Sequence, residues 1–272
     1  DTFSLNYIAD MGDLEFSATV YENNFARNWF KVDKIDNGKV YGLGNGINNI
    51  IASANTGNLD AISILHGTNS QAVEIKLKNN NRAYISEGTD IKIQYSTDRQ
   101  TFTAGYRSTE DSEDRFQVYE YATWLGGNLS TLSKGSAPGY SSNNRVTEAE
   151  ATAFYINEEV NIGTLSLNFG FRTEDWEITQ ERYVDSARSA INTEKGYPKK
   201  LADSDNSLFG FGATYEVNDS TSIFLGFHEG STPTSGGADP EEADNIELGM
   251  RYIQGSTFVE LVYFDTDYQN MF

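Results

Sequence analysis

The chain has 272 residues, a formal net charge of −20 and no cysteine. Disulfides, thiolate metal sites and a cysteine nucleophile are therefore excluded, and the acidity repels a nucleic-acid backbone. No run approaches 18 consecutive apolar residues, which excludes a membrane-crossing helix, while 13% aromatic residues exclude a solvated, disordered polymer.

Period-two alternation dominates the chain. Phe3, Leu5 and Tyr7 open it, and Phe16, Ala18 and Val20 follow with Glu15, Ser17 and Thr19 between them. Ile85, Ile91, Ile93 and Tyr95 share one parity, and Phe102, Ala104 and Tyr106 repeat the pattern. A less regular strand is expected near 149–158. Clean ones follow through Leu165–Phe171, Phe209–Tyr215, Ile223–Phe227 and Ile246–Tyr252, and a second less regular one is expected near 257–267. The count is about ten strands, each with one apolar face.

The connections alternate too. Short turns are expected at Asp10–Asp13, Asp98–Gln100, Asn161–Gly163, Asn218–Ser220 and Gln254–Ser256. Long excursions are expected at 28–82, 108–147, 181–206 and 229–244. Within the first, Ile47, Ile50, Ile51 and Ala54 recur at helical spacing before Gly57, and Asn58 caps a second helix, Leu59–His66, closed by Gly67. These helices form either an ordered lid or packing on a rim.

Antiparallel strands joined this way put all short turns at one end and all long loops at the other, as in a transmembrane β-barrel. The alternation alone does not say which face is inside. A soluble sandwich buries the apolar parity, whereas a membrane barrel turns it to lipid. Long loops and a polar parity rich in charge, Gly, Ser and Thr favour the membrane.

Several segments resemble the barrel of TonB-dependent outer-membrane receptors, most of all the ferric citrate receptor branch. They are Phe25–Lys31 (FARNWFK), Asn79–Asp90 (NNNRAYISEGTD), Gly105–Gln117 (GYRSTEDSEDRFQ) and Gly226–Pro233 (GFHEGSTP). Gly237–Glu242, Glu247–Tyr252 and Glu260–Phe264 follow in consistent order. The resemblance implies a partial antiparallel β-barrel over 1–272, in a cell outer membrane, from a family barrel of about 22 strands. The family's plug domain, its TonB-contacting motif and further strands are not found, so the expectation is an internal fragment of a longer receptor. Implied partners are a ferric chelate, TonB through the missing plug, and lipopolysaccharide and outer-membrane lipid.

Catalytic chemistry finds no support: there is no G-x-S-x-G or H-E-x-x-H, and only two histidines, so the reading is not an enzyme and calls for no cofactor or metal. Gly42–Gly46 lacks the rest of a phosphate loop, and Asp203–Ser207 lacks the glycine of a calcium loop. The acidic run Glu110, Asp111, Glu113 and Asp114 is expected at the outer end of a strand, either as a solvated loop tip or binding divalent cations, free or bridging lipopolysaccharide phosphates.

An anionic chelate needs fixed, forked cationic donors, which arginine supplies. Arg27, Arg82, Arg107, Arg115 and Arg145 are expected at loop ends or on the lumen parity near them. The candidate ligand site is Arg27, Trp29, Arg82, Tyr84, Arg115, Arg145 and His228, with Tyr140 as a further aromatic neighbour. His228 is placed on the polar parity at the loop end of its strand. Two other readings stay open: a passive porin-like channel, and a soluble secreted all-β carbohydrate binder or hydrolase.

Overall fold

The computed structural model describes residues 1–35, 41–43, 46–135, 143–232 and 239–271, without the side chains of 131–134. Eleven strands form one antiparallel sheet. They are β1 (Thr2–Asp10), β2 (Leu14–Ile35), β3 (Val73–Ser96), β4 (Gln100–Leu125), β5 (Asn128–Lys134), β6 (Asn144–Ile162), β7 (Leu165–Arg182), β8 (Lys199–Asn218), β9 (Thr221–Thr232), β10 (Glu241–Gln254) and β11 (Thr257–Gln269). Ten follow chain order across the sheet, and β5 pairs only with the far end of β4. The sheet is not closed, and β1 and β11 are its two edges.

All five expected tight turns are present, and each joins neighbouring strands. Gly163, at φ +63°, turns β6 into β7 in a conformation that favours glycine. Because every connection at this end is short, the strand lengths project to the other end.

The apolar parity is the exposed one. Ile93 is 45% exposed, Leu225 45% and Leu261, opposite Met250, 69%, and the alternating Lys92 and Gln94 face the opposite side. A water-soluble sandwich would have buried these rows, and so large an apolar surface is stable only against lipid. The sheet is thus part of a membrane barrel wall, with the polar parity lining its lumen.

The strands are longer than their alternation indicates. β2, β3 and β4 have 22, 24 and 26 residues, where about 9–11 cross a membrane. The strands therefore reach well into the expected excursions: β2 runs to Ile35, β3 starts at Val73, β6 at Asn144 and β8 at Lys199. Above the lipid both faces are wet, so the apolar demand that creates alternation disappears while backbone pairing continues. The acidic run belongs to β4, not to a loop tip, and splits between faces. Asp203–Ser207 is likewise in β8. Two positions of Gly42–Gly46 lie outside the described residues, as does Tyr140.

Two helices fill the β2–β3 connection: α1 (Ile47–Asn55) and α2 (Leu59–His66). Asn58 Oδ1 accepts from the Ala61 amide, and Gly67 closes α2 at φ +70°. A Cβ on Gly67 would lie 2.7 Å from Gly127 Cα, so the glycine serves both the cap and a close approach to the β4–β5 turn. The helices bury Ile50, Ala61 and Ile64 against Ile35, Val73, Ile75 and Leu77. Trp124 Nε1 donates to the Ile64 carbonyl at 2.9 Å. Val73, Ile75 and Leu77 share the outward parity of β3, so the helices prop the rim from outside and do not cover the lumen. Of the two readings of these helices, rim packing is the one realised.

Candidate functional site

Antiparallel register places directly opposed residues on the same face. Arg27 of β2 opposes Arg82 of β3, Arg82 opposes Arg115 of β4, Arg115 opposes Arg145 of β6, and Arg145 opposes Arg182 of β7. Five arginines thus form one row across five adjacent strands, spanning roughly 20 Å at the usual strand spacing. The row lies on the lumen parity. Arg115 is about 15 residues from the turn end of β4, beyond the 9–11 that cross the membrane, so the row sits in the extracellular mouth.

Like charges directly opposed across strands destabilise a sheet. One carboxylate offsets part of this. Glu113, one position below on the same face, accepts from Arg82 at 2.6 Å through Oε2 and from Arg145 at 3.3 Å through Oε1. Arg115, between them, forms no ion pair among the described residues. Its Nη2 donates to Gln117 Oε1 at 3.1 Å and Asn143 Oδ1 at 3.2 Å, both neutral amides. Burial, then the charges of Arg82 and Arg145, push the Arg115 pKa down. Burial also works to lower Arg82, but Tyr84 and Glu113 outweigh it and the net shift is upward. The Nε atoms of Arg82, Arg115 and Arg145 are buried without a partner in the same row.

Aromatic rings hold the β2 end. The Tyr84 hydroxyl accepts from Arg27 at 2.9 Å and from Arg82 at 3.2 Å. Its ring stacks on Phe25 with centroids 6.0 Å apart. Arg27 lies over the rings of Trp29 and Tyr84, at 5.7 and 5.4 Å. At the other end, Arg182 donates to Gln180 and lies over Tyr197. Two positions further out on the same face, Lys31 opposes Lys78, and Asp33 takes Lys76 at 3.6 Å and Lys78 at 4.0 Å. Burial is the main cause of a lowered Lys78 pKa; Asp33 opposes it, while Lys31, Arg115 and Lys76 add to it. The inner wall of the mouth is therefore strongly cationic in a chain of net charge −20.

The structure brings six of the seven candidate residues together and leaves His228 apart. His228 opposes Gly210, which opposes Gly170 on β7, and Gly170 is about 12 residues, or ~40 Å, along that strand from Arg182. His228 faces the lumen four residues from the outer end of the short β9, on a part of the wall far from the row. Arg182, Glu113 and the lysine tier were missed by the sequence reading. Arg145 and Arg182 stand equally far from the tight turn at Gly163, and Arg82 and Arg115 equally far from the turn near Asp98. Reflecting each hairpin about its turn finds both pairs.

A family model described as "TonB dependent receptor-like, beta-barrel" matches residues 2–272. The chain belongs to the TonB-dependent receptor family. Similar solved structures include the ferric citrate transporter FecA in its unliganded form (TM-score 0.60, 15% identity, 98% of this chain and 34% of that one). The siderophore receptor PiuA from Acinetobacter baumannii (TM-score 0.62, 13% identity, 97% and 39%) and the copper transporter OprC (TM-score 0.59, 9% identity, 99% and 38%) have the same fold. This receptor barrel thus spans between 34 and 39% of the length of these three chains. Its place is the outer membrane, in keeping with its exposed apolar rows.

Proposed function

We propose that the chain is the barrel portion of a receptor that captures an anionic iron chelate, ferric citrate or a siderophore, at the cell's outer face. The arginine row carries the reading: five aligned guanidinium groups with one carboxylate among them form a wall that only a multiply anionic ligand neutralises. Arg27, Arg82, Arg115 and Arg145 supply donors and Trp29 and Tyr84 shape one end, while His228, apart from the row, meets the ligand only as it moves inward. The names of FecA and PiuA favour the same ligand class. The barrel itself performs no chemistry. Transport requires a plug and TonB, and lipid and lipopolysaccharide surround the apolar belt. Binding favours one of two conformations, which the plug communicates inward.

Salt titration tests this. The full receptor in detergent is expected to bind ferric citrate with an affinity that falls several-fold between 50 and 500 mM NaCl. An uncharged trihydroxamate chelate of iron is expected to bind much more weakly. Equal binding of both chelates, unaffected by salt, contradicts the proposal.

A further inference from the structure

We propose that Arg188, on the loop between β7 and β8, is a positioning residue for the arginine row. The inference rests on the anion-site reading above. The β4–β6 ladder ends at the pair Phe116 and Asn144, one residue beyond the opposed Arg115 and Arg145. The last rungs of a ladder open most readily, so two of the five guanidinium groups stand at the outer end of the β4–β6 ladder.

Arg188 spans that end from the opposite, outward face. Nη1 and Nη2 fork onto the Asp114 carboxylate at 2.7 and 2.5 Å. Nη2 also donates to the Arg115 carbonyl at 3.3 Å, and Nε donates to Asn144 Oδ1 at 3.0 Å. One planar group thus ties the β4 residues beside and at Arg115 to the β6 residue beside Arg145. It is clamped in turn between Phe116 and Tyr183, with ring centroids at 5.5 and 4.8 Å. Asn144, fully buried, donates to the Asp185 carbonyl at 2.7 Å, which binds the loop to the same point.

The backbone carries a second sign. Arg188 has φ +56°, a left-handed conformation that a residue with a Cβ adopts at a cost. A glycine would relax there, yet it would remove the fork. A strained arginine is retained where its side chain is needed, and here every contact of that side chain converges on the strand ends behind the row. Lysine keeps the charge but cannot fork across both strands.

The test uses the full receptor with four variants: Arg188→Ala, Arg188→Gly, Arg188→Lys and Arg115→Gln. Amide hydrogen exchange of 114–117 and 144–147 is expected to rise about tenfold or more in Arg188→Ala and Arg188→Gly. It is expected to rise less in Arg188→Lys, with β9–β11 unchanged. Affinity for ferric citrate, used as the probe, is expected to fall about tenfold in the Ala and Gly variants with partial rescue by Lys. Unchanged exchange at those amides overturns the proposal. So does an unchanged affinity in Arg188→Ala when Arg115→Gln lowers it. If Arg115→Gln leaves the affinity at the wild-type value, the anion-site reading fails instead, and the positioning role falls with it.

Discussion

Replacing Arg115 by glutamate is expected to lower the affinity of the full receptor for ferric citrate by about 100-fold or more. A hydrogen bond to a charged group contributes about 1.5–3 kcal/mol, and each 1.4 kcal/mol is tenfold in affinity. Loss of the guanidinium alone therefore accounts for roughly 10- to 100-fold, and the new carboxylate adds repulsion. That carboxylate also lies between Arg82 and Arg145, where it occupies the donors the ligand needs. The barrel is not expected to suffer, because Arg115 opposes like charges on both sides and the substitution removes that opposition. The predicted signature is lost binding at an unchanged or raised melting temperature. Parallel titration and thermal unfolding check it, with Arg115→Gln as the milder variant. Affinity within threefold of wild type contradicts it.

The second large effect is expected from Ile64→Ala. Ile64 is 2% exposed in an apolar cluster of seven buried residues that joins both helices to the outer ends of β2 and β3. Truncating a buried isoleucine to alanine costs about 2–5 kcal/mol. In so small a cluster that rivals the whole local stability, and neither helix has length enough to persist alone. Residues 46–72 are expected to lose protection from hydrogen exchange while β6–β11 keep theirs. The membrane-spanning wall shares no side chain with this cluster, so the barrel stays inserted. The outer reach of β2 and β3, which presents Lys31, Lys76 and Lys78, loses its support. Retained protection over 46–72 contradicts this account of the rim.

The legible part of the fold was the part under apolar constraint. Alternation placed the lipid-crossing segments and all five tight turns, and Asn58 and Gly67 marked both ends of α2. Which parity faced outward needed the structure, since the same pattern serves a sandwich. Above the lipid the constraint lapses, so the outer reaches of β2–β4, the short β5 and the side on which the helices dock left no periodic trace. The site was half legible. Arg27, Arg82, Arg115 and Arg145 stood out by residue type, and the first three also by the family-like segments around them. Their alignment is a property of register, which depends on pairing across as many as five strands. Glu113 looked like one of several solvated acids, because nothing local separates it from Asp114 on the opposite face. Arg188 lies in a stretch without periodicity, and its role appears only when β4, β6 and the loop are seen together.

The claim beneath all of this is that one parity meets lipid and the other carries the arginine row into the mouth. This chain has no cysteine of its own, so a single-cysteine walk along β4, with any cysteine elsewhere in the full receptor replaced by serine, is the direct test. In the full receptor in liposomes, spin labels at 102, 104 and 106 are expected to collide with dissolved oxygen and not with a water-soluble nickel chelate. Labels at 113 and 115 are expected to do the reverse, and the label at 115 to become shielded when ferric citrate is added. Labels at 102, 104 and 106 that meet the nickel chelate, or a label at 115 buried in lipid, would contradict the account.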